Sequence, residues 1–216
     1  MVRSTAFAVE RTTDNLKRIT HHLAPGSRPL TLMTPEEVKA YVSRLTDALG
    51  DRDPFAVMGE LPSALRTLTA GLDDAQMRIP EGPGKWSVIQ VLEHLADHET
   101  INGFRLRSTI AEDAPVLRGY DQTRWVARLH YGDADAETVL REVETARRRT
   151  VRLLQALSPA ELERVGMHAE RGPESVRLNI AITAGHDIVH RRQIARIRAA
   201  IGLPLPERTE AMAAAR

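Results

Sequence analysis

A helix start signal recurs along this chain and fixes most of what it can fold into. Thr34-Pro35-Glu36-Glu37 offers an N-cap hydroxyl, a proline at the first helical position and an acid that reaches back to the cap. Asp53-Pro54, Ser87 with Gln90, and Ser158-Pro159-Ala160-Glu161 repeat the pattern. Behind these starts apolar residues fall at helical spacing. KAYVSRLTDAL ends near Gly50, and FAVMGELPSALRTLTAGL contains Pro62, which predicts a kink or break. After the EGPGKW turn, VIQVLEHLADHETINGFRLRSTIA runs to a stop at Pro115, and the shorter DQTRWVARL follows. DADAETVLREVETARRRTVRLLQAL has acids in its first turn and arginines later, as the helix dipole prefers. The last segment, PESVRLNIAITAGHDIVHRRQIARIRAAIG, is closed by Gly202 and Pro204. Strand signals are poor: aromatics make up 4% and NIAIT is the one brief alternation. Long helices joined by short turns predict an all-α fold, an antiparallel four-helix bundle with additional short helices.

With 216 residues the chain suits one domain. Residues 1–32 read as a partly ordered extension with a short apolar spacing at Leu16, Ile19 and Leu23. Residues 33–206 read as the helical domain, with Met33 a conceivable start, and 207–216 as a tail. Thirty basic residues against twenty-nine acidic ones leave no basic excess for holding nucleic acid or an anionic membrane, so neither partner is expected. There is no cysteine, which excludes disulfides, thiolate metal sites and a cysteine nucleophile. No run reaches the roughly eighteen apolar residues of a membrane span, and no signal peptide's apolar core follows Met1; a cytoplasmic protein is the expectation.

The last helical segment carries HDIVH, which stacks His186 and His190 on one helix face. Ile182 and Ile197 bracket them together with Val189 and Gln193, so they interrupt an apolar stripe rather than sit among Arg191, Arg192 and Arg196. A buried imidazole without a partner costs about 1–3 kcal/mol. Ordinary hydrogen bonds are one solution; a shared divalent ion is another. A second pair, His94 and His98, lies four apart on a face with Val91 and Ile101. Either could meet the first pair and leave coordination positions open, although His98, beside Asp97 and Glu99, reads as a solvated edge. Asp187 stands where the glutamate of HExxH would be, but it is a methylene shorter and about 100° around the helix from His186, so a supporting or surface role is expected.

In order, GKWSVIQVLEHLADHE, the long arginine-containing helix and HAERGPESVRLNIAITAGHDIVHRRQI resemble the DinB/YfiT-like family of metal-binding four-helix bundles, over roughly residues 54 to 201. The resemblance implies a divalent metal, nickel, zinc or iron not being distinguishable, held by His94, His186 and His190. It thereby selects His94 over His98. Gln193 matches a polar position that follows the last ligand, and His168, in the HxxxG run, matches a recurring pocket or supporting residue. A homodimer is usual in the family; the amino-terminal extension departs from its pattern.

Some members join a low-molecular-weight thiol to an electrophile, so the first expectation is a metal-dependent thiol S-transferase acting on a small molecule, with an external thiol as cofactor. The alternative is a hydrolase using metal-activated water, for which Asp97, Asp187 and Glu99 are unmarked candidate bases. A third is a non-enzymatic, stress-associated binding protein. Nucleic-acid binding through Arg147-Arg148-Arg149 with Arg152, or Arg191-Arg192 with Arg196 and Arg198, is set against solvated helix faces beside Glu137, Glu142 and Glu144. Tyr120 and Trp125 are expected to pack the core or wall a pocket, and Trp86 to pack the turn before its helix.

Overall fold

A computed structural model describes residues 34–205; the readings for residues 1–32, Met33 and the 207–216 tail lie outside the described residues. The chain runs α1 (Pro35–Leu49), α2 (Pro54–Thr69), α3 (Asp74–Met77), α4 (Val88–Ala111), β1 (Val116–Leu117), α5 (Gln122–Arg128), α6 (Ala136–Gln155), α7 (Pro159–Leu162), β2 (Val165–His168), β3 (Gly172–Ser175) and α8 (Val176–Ala200). The four-helix bundle with added short helices is what forms. Helices α4 and α2 each pack against both α6 and α8, and α1 lies along α8.

The start signals work as the sequence predicts. Thr34 and Glu37 close a capping box at α1, Ser87 and Gln90 at α4, and Ser158 and Glu161 at α7, while Asp53 accepts the Phe55 N–H at α2. Pro62 departs from expectation, because α2 runs through it unbroken. A proline leaves the carbonyl four residues earlier without its helical donor. That carbonyl belongs to Met58, and Arg147 Nη1 donates to it at 3.3 Å. The last helix also begins later than PESVRLN suggests, at Val176 with Ser175 as its cap. The preceding Gly172–Ser175 is a strand that pairs antiparallel to β2, whose other edge carries β1 in parallel. This small sheet carried no alternation long enough to read.

Two apolar clusters fill the bundle. One gathers Leu61, Leu65, Leu68, Leu92, Leu95, Val143 and Ile194; the other gathers Val57, Met58, Leu106, Leu154, Ile180 and Ile188. Between Leu95 and Leu106 on α4, and between Val143 and Leu154 on α6, the buried residues turn polar: His98, Glu99, Asn102, Arg105, Arg147 and Thr150, with His94 just ahead of Leu95. The centre of this layer is an ion cluster. Arg147, 1% exposed, pairs with Glu99 and Asp187, which are 5% and 0% exposed. Burial opposes the guanidinium's charge, but Asp187 and Glu99 hold its pKa above the ordinary arginine value.

Three expectations are therefore corrected. Asp187 is not at the surface; it is the buried counter-ion of Arg147. Glu99 and His98 are buried rather than a solvated edge. Arg147, Arg191 and Arg198 leave the basic clusters for the interior, while Arg148, Arg149, Arg152, Arg192 and Arg196 stay exposed. Arg198 donates to the Leu68 and Ala70 carbonyls at the end of α2, at 3.0 and 2.9 Å. Among the described residues no helix is long and apolar enough to cross a membrane.

One glycine sets the position of α1. A Cβ on Gly185 would lie 1.9 Å from the Leu45 carbonyl oxygen, so α1 can approach α8 this closely only where residue 185 has no side chain. That glycine immediately precedes His186.

Candidate metal centre

Helices α4 and α8 meet face to face through their histidines. His94 Nε2 lies 3.1 Å from His186 Nε2, which lies 3.1 Å from His190 Nε2. One nitrogen from each ring falls within 4.8 Å of the other two, so the three could hold an ion between them. Two nitrogens bound tetrahedrally at about 2.0–2.1 Å from one zinc-sized ion sit roughly 3.3 Å apart. The observed spacing is close to that without any rearrangement.

The protonation states fit as well. Burial, first, and then the neighbouring imidazoles hold His94 well below the usual histidine pKa, and burial does the same to His186. His190 is lowered to about 4, again by burial. Neutral imidazoles keep a lone pair for a ligand. At His190 the tautomer is fixed by Gln193: Oε1 of the amide lies 2.8 Å from Nδ1, so Nδ1 donates and Nε2 carries the lone pair into the cluster. The Nδ1 atoms of His94 and His186 are buried without a hydrogen-bond partner among the described residues.

Aromatic packing holds the rings. Trp86 stacks on His190, 8° from parallel at 6.4 Å, and tilts against His94 at 5.1 Å. Beyond the turn before its helix, where the sequence placed it, Trp86 thus also covers two of the rings. His98 stacks on His186 at 4.1 Å, but its Nε2 joins none of the three-way contact and is buried without a partner. Spacing alone left His94 and His98 level; the geometry brings His94 into the cluster and puts His98 behind His186.

The candidate bases lie elsewhere. Asp187 and Glu99 are engaged by Arg147, and Asp97 accepts from the Tyr131 hydroxyl. Beside the cluster is instead a narrow cavity of about 40 Å³ that His98 and His186 share with Tyr41, Arg105, Tyr120 and His168. His168 comes from the β2 end, within the run singled out in the sequence. Tyr120 walls this cavity and packs on Trp125 at 4.6 Å. Arg105 was missed, although a signal exists: it follows His98 by seven residues, two helical turns along the same face. Tyr41, and Glu170, which also lines the cavity, carried no signal, since they arrive from α1 and the β2–β3 turn.

A family model described as the DinB superfamily matches residues 59–194. A protein of Oceanobacillus iheyensis, named as a candidate metal-dependent hydrolase, is 35% identical over 131 residues, 61% of this chain and 76% of its own length. One of Geobacillus thermodenitrificans, named likewise, is 31% identical over 147 residues, 67% of this chain and 82% of its own. Among solved structures, YfiT from Bacillus subtilis, described as a candidate metal-dependent hydrolase of unusual four-helix-bundle topology, superposes with a TM-score of 0.61. It is 22% identical, with 81% of this chain and 91% of that one covered.

Proposed function

The chain belongs to the DinB superfamily, and from that premise we propose that it is a metal-dependent hydrolase of a small molecule, its divalent ion held by His94, His186 and His190. The observation that carries this is the convergence of three neutral Nε2 atoms from two helices at 3.1 Å steps. Three protein donors leave positions open, as catalytic rather than structural sites do. When bound, such an ion polarises a substrate carbonyl and lowers the pKa of water toward neutrality. Imidazole donors suit zinc, nickel or iron alike.

The chain's own residues supply the setting. Gln193 orients His190, Trp86 covers the His94 and His190 rings, and His98 backs His186. Arg147 pins α4 and α8 in the register that brings the rings together. The relatives' names favour hydrolysis over the thiol S-transferase expected first from the resemblance, and no feature of the cavity is specific to a thiol.

The test is elemental analysis of full-length, untagged protein beside a His186→Ala/His190→Ala variant, with an ester and amide panel assayed without added thiol. About one divalent ion per chain, lost in the variant together with hydrolysis, is the expected result. Turnover that appears only when a low-molecular-weight thiol is added would restore the transferase; an unchanged metal content in the variant would sink the site.

A further inference from the structure

We infer that the cavity beside the histidine cluster is a carboxylate-binding subsite built by Arg105 and His168. On the hydrolase reading, it takes the carboxylate end of the substrate, next to the bond that is cleaved.

Arg105 is 6% exposed, yet no carboxylate lies within ion-pair distance of it among the described residues. Its Nε donates to the Arg118 carbonyl at 3.1 Å, and Nη2 reaches the same oxygen. One neutral acceptor serves two donors, and Nη1 has no hydrogen bond among the described residues. The Tyr120 ring 5.8 Å away adds only a cation–π contact, and a buried cation in this condition is costly. Arg147 has Glu99 and Asp187, and Arg198 has three carbonyls, while Arg191 faces Glu60 at 3.8 Å with its Nε and Nη1 free of hydrogen bonds among the described residues. Arg105 instead lines the cavity that His186 also lines.

His168 supplies a second donor by an independent argument. Its Nδ1 accepts the backbone N–H groups of Glu170 and Arg171 at 3.2 and 3.3 Å. A ring nitrogen that accepts twice carries no proton, so the neutral ring has its proton on Nε2. That Nε2 is buried without a partner on a residue 3% exposed, and the residue lines the same cavity. A charged donor and a neutral one, both unsatisfied, await an acceptor.

The other charges at the cavity do not fill that role. Arg171 is taken by Glu174 at 2.5 Å. Glu170 is the one acid among the lining residues; its Oε2 has no partner, and burial pushes its carboxyl up. A second carboxylate nearby favours its protonated, hydrogen-bond-donating form. Charge selects the anion. The single guanidinium of Arg105 can balance one negative charge, so a monoanionic carboxylate suits this narrow cavity better than a phosphate that is largely dianionic at neutral pH.

The test follows the side-chain nitrogen resonances of His168 and Arg105 in ¹⁵N-labelled full-length protein, metal-loaded and EDTA-treated, during titration with propionate, propionamide or inorganic phosphate. Propionate should shift both resonances saturably with or without metal, and the amide and phosphate should not. Arg105→Gln should weaken propionate by about tenfold or more, the scale of a lost charge-assisted hydrogen bond. His168→Asn should also weaken it, because it keeps a near acceptor for the two backbone N–H groups but loses the far donor. Glu170→Gln should bind at least as tightly as the parent. Equal response to propionamide, indifference to both the Arg105 and His168 substitutions, or loss of binding on EDTA treatment would each overturn the subsite. If propionate binds as expected but the ester panel is inert, the hydrolase reading falls and the subsite stands. If neutral esters turn over while propionate does not bind, the subsite alone falls.

Discussion

Arg147→Met should be the most damaging single substitution outside the apolar clusters. The guanidinium is 1% exposed and neutralises two acids that are 5% and 0% exposed. Removing it leaves Glu99 and Asp187 facing each other without a cation and strips the Met58 carbonyl of its donor. Breaking a buried pair from one side costs about 3–5 kcal/mol. Against a typical domain stability of about 5–15 kcal/mol, that lowers the folding equilibrium by roughly two to four orders of magnitude. Urea unfolding followed by helical circular dichroism reads the loss as a lower midpoint at unchanged slope. The companion is Arg147→Met/Glu99→Met/Asp187→Leu, which removes all three charges. Apolar replacement of a buried ion cluster is often neutral or stabilising, so this triple variant should regain most of the loss. A cost below about 1 kcal/mol for Arg147→Met, or a triple variant less stable than the single one, would refute the account of what holds this layer together.

In chelator-treated protein, stability should fall on acidification from pH 7 to 5.5. His168 and His190 are each lowered from 6.5 to about 4, so below pH 6.5 the unfolded chain takes protons that the folded one refuses. Asp187, raised by burial to about 6, works in the opposite direction over that range. The net loss from these three is about 1.5 kcal/mol, to which His94, His98 and His186 add in the same sense as the other histidines; a flat denaturation midpoint across this range refutes it. Gln193→Leu should lower metal affinity by about 10–100-fold at unchanged fold, measured by competition with a chromophoric chelator, because His190 loses the acceptor that fixes its tautomer. Gly185→Ala should push α1 off α8, since the new Cβ would lie 1.9 Å from the Leu45 backbone carbonyl oxygen, which cannot yield as a side chain could. Faster amide exchange confined to Pro35–Leu49 is the expected readout, and unchanged protection there counts against it.

What could be read from the sequence was what is local. Each helix start depends on residues within four positions of one another, and the i,i+4 histidines follow from helix geometry alone. What escaped depends on partners far along the chain. Glu99 and Asp187 look solvent-facing because charged residues usually are; only Arg147, 48 and 40 residues away, makes their burial tolerable. Pro62 looks like a break because the donor that rescues Met58 lies 89 residues on. The strands of two and four residues are too short to alternate, and they form by pairing with each other. The choice between His94 and His98 turns on where α8 sits against α4, which no single-helix spacing contains.

The placement of the acids also ties stability to the site. Glu99 follows His98 and Asp187 follows His186, and consecutive residues on a helix point about 100° apart. Each helix therefore sends an imidazole to the α4–α8 seam and a carboxylate toward α6, where one guanidinium receives both. The offset that makes Asp187 a poor stand-in for the glutamate of HExxH is the same offset that delivers it to Arg147. The cation thus acts on the histidines without touching them: rotation or sliding of either helix that spoiled the 3.1 Å contacts would also pull a carboxylate off a fully buried charge. It follows that Arg147→Met should loosen metal binding as well as the fold, and that the charge-free triple variant, stable but without this restraint on register, should recover stability more completely than metal affinity. Equal recovery of the two would mean that packing alone sets the helix register.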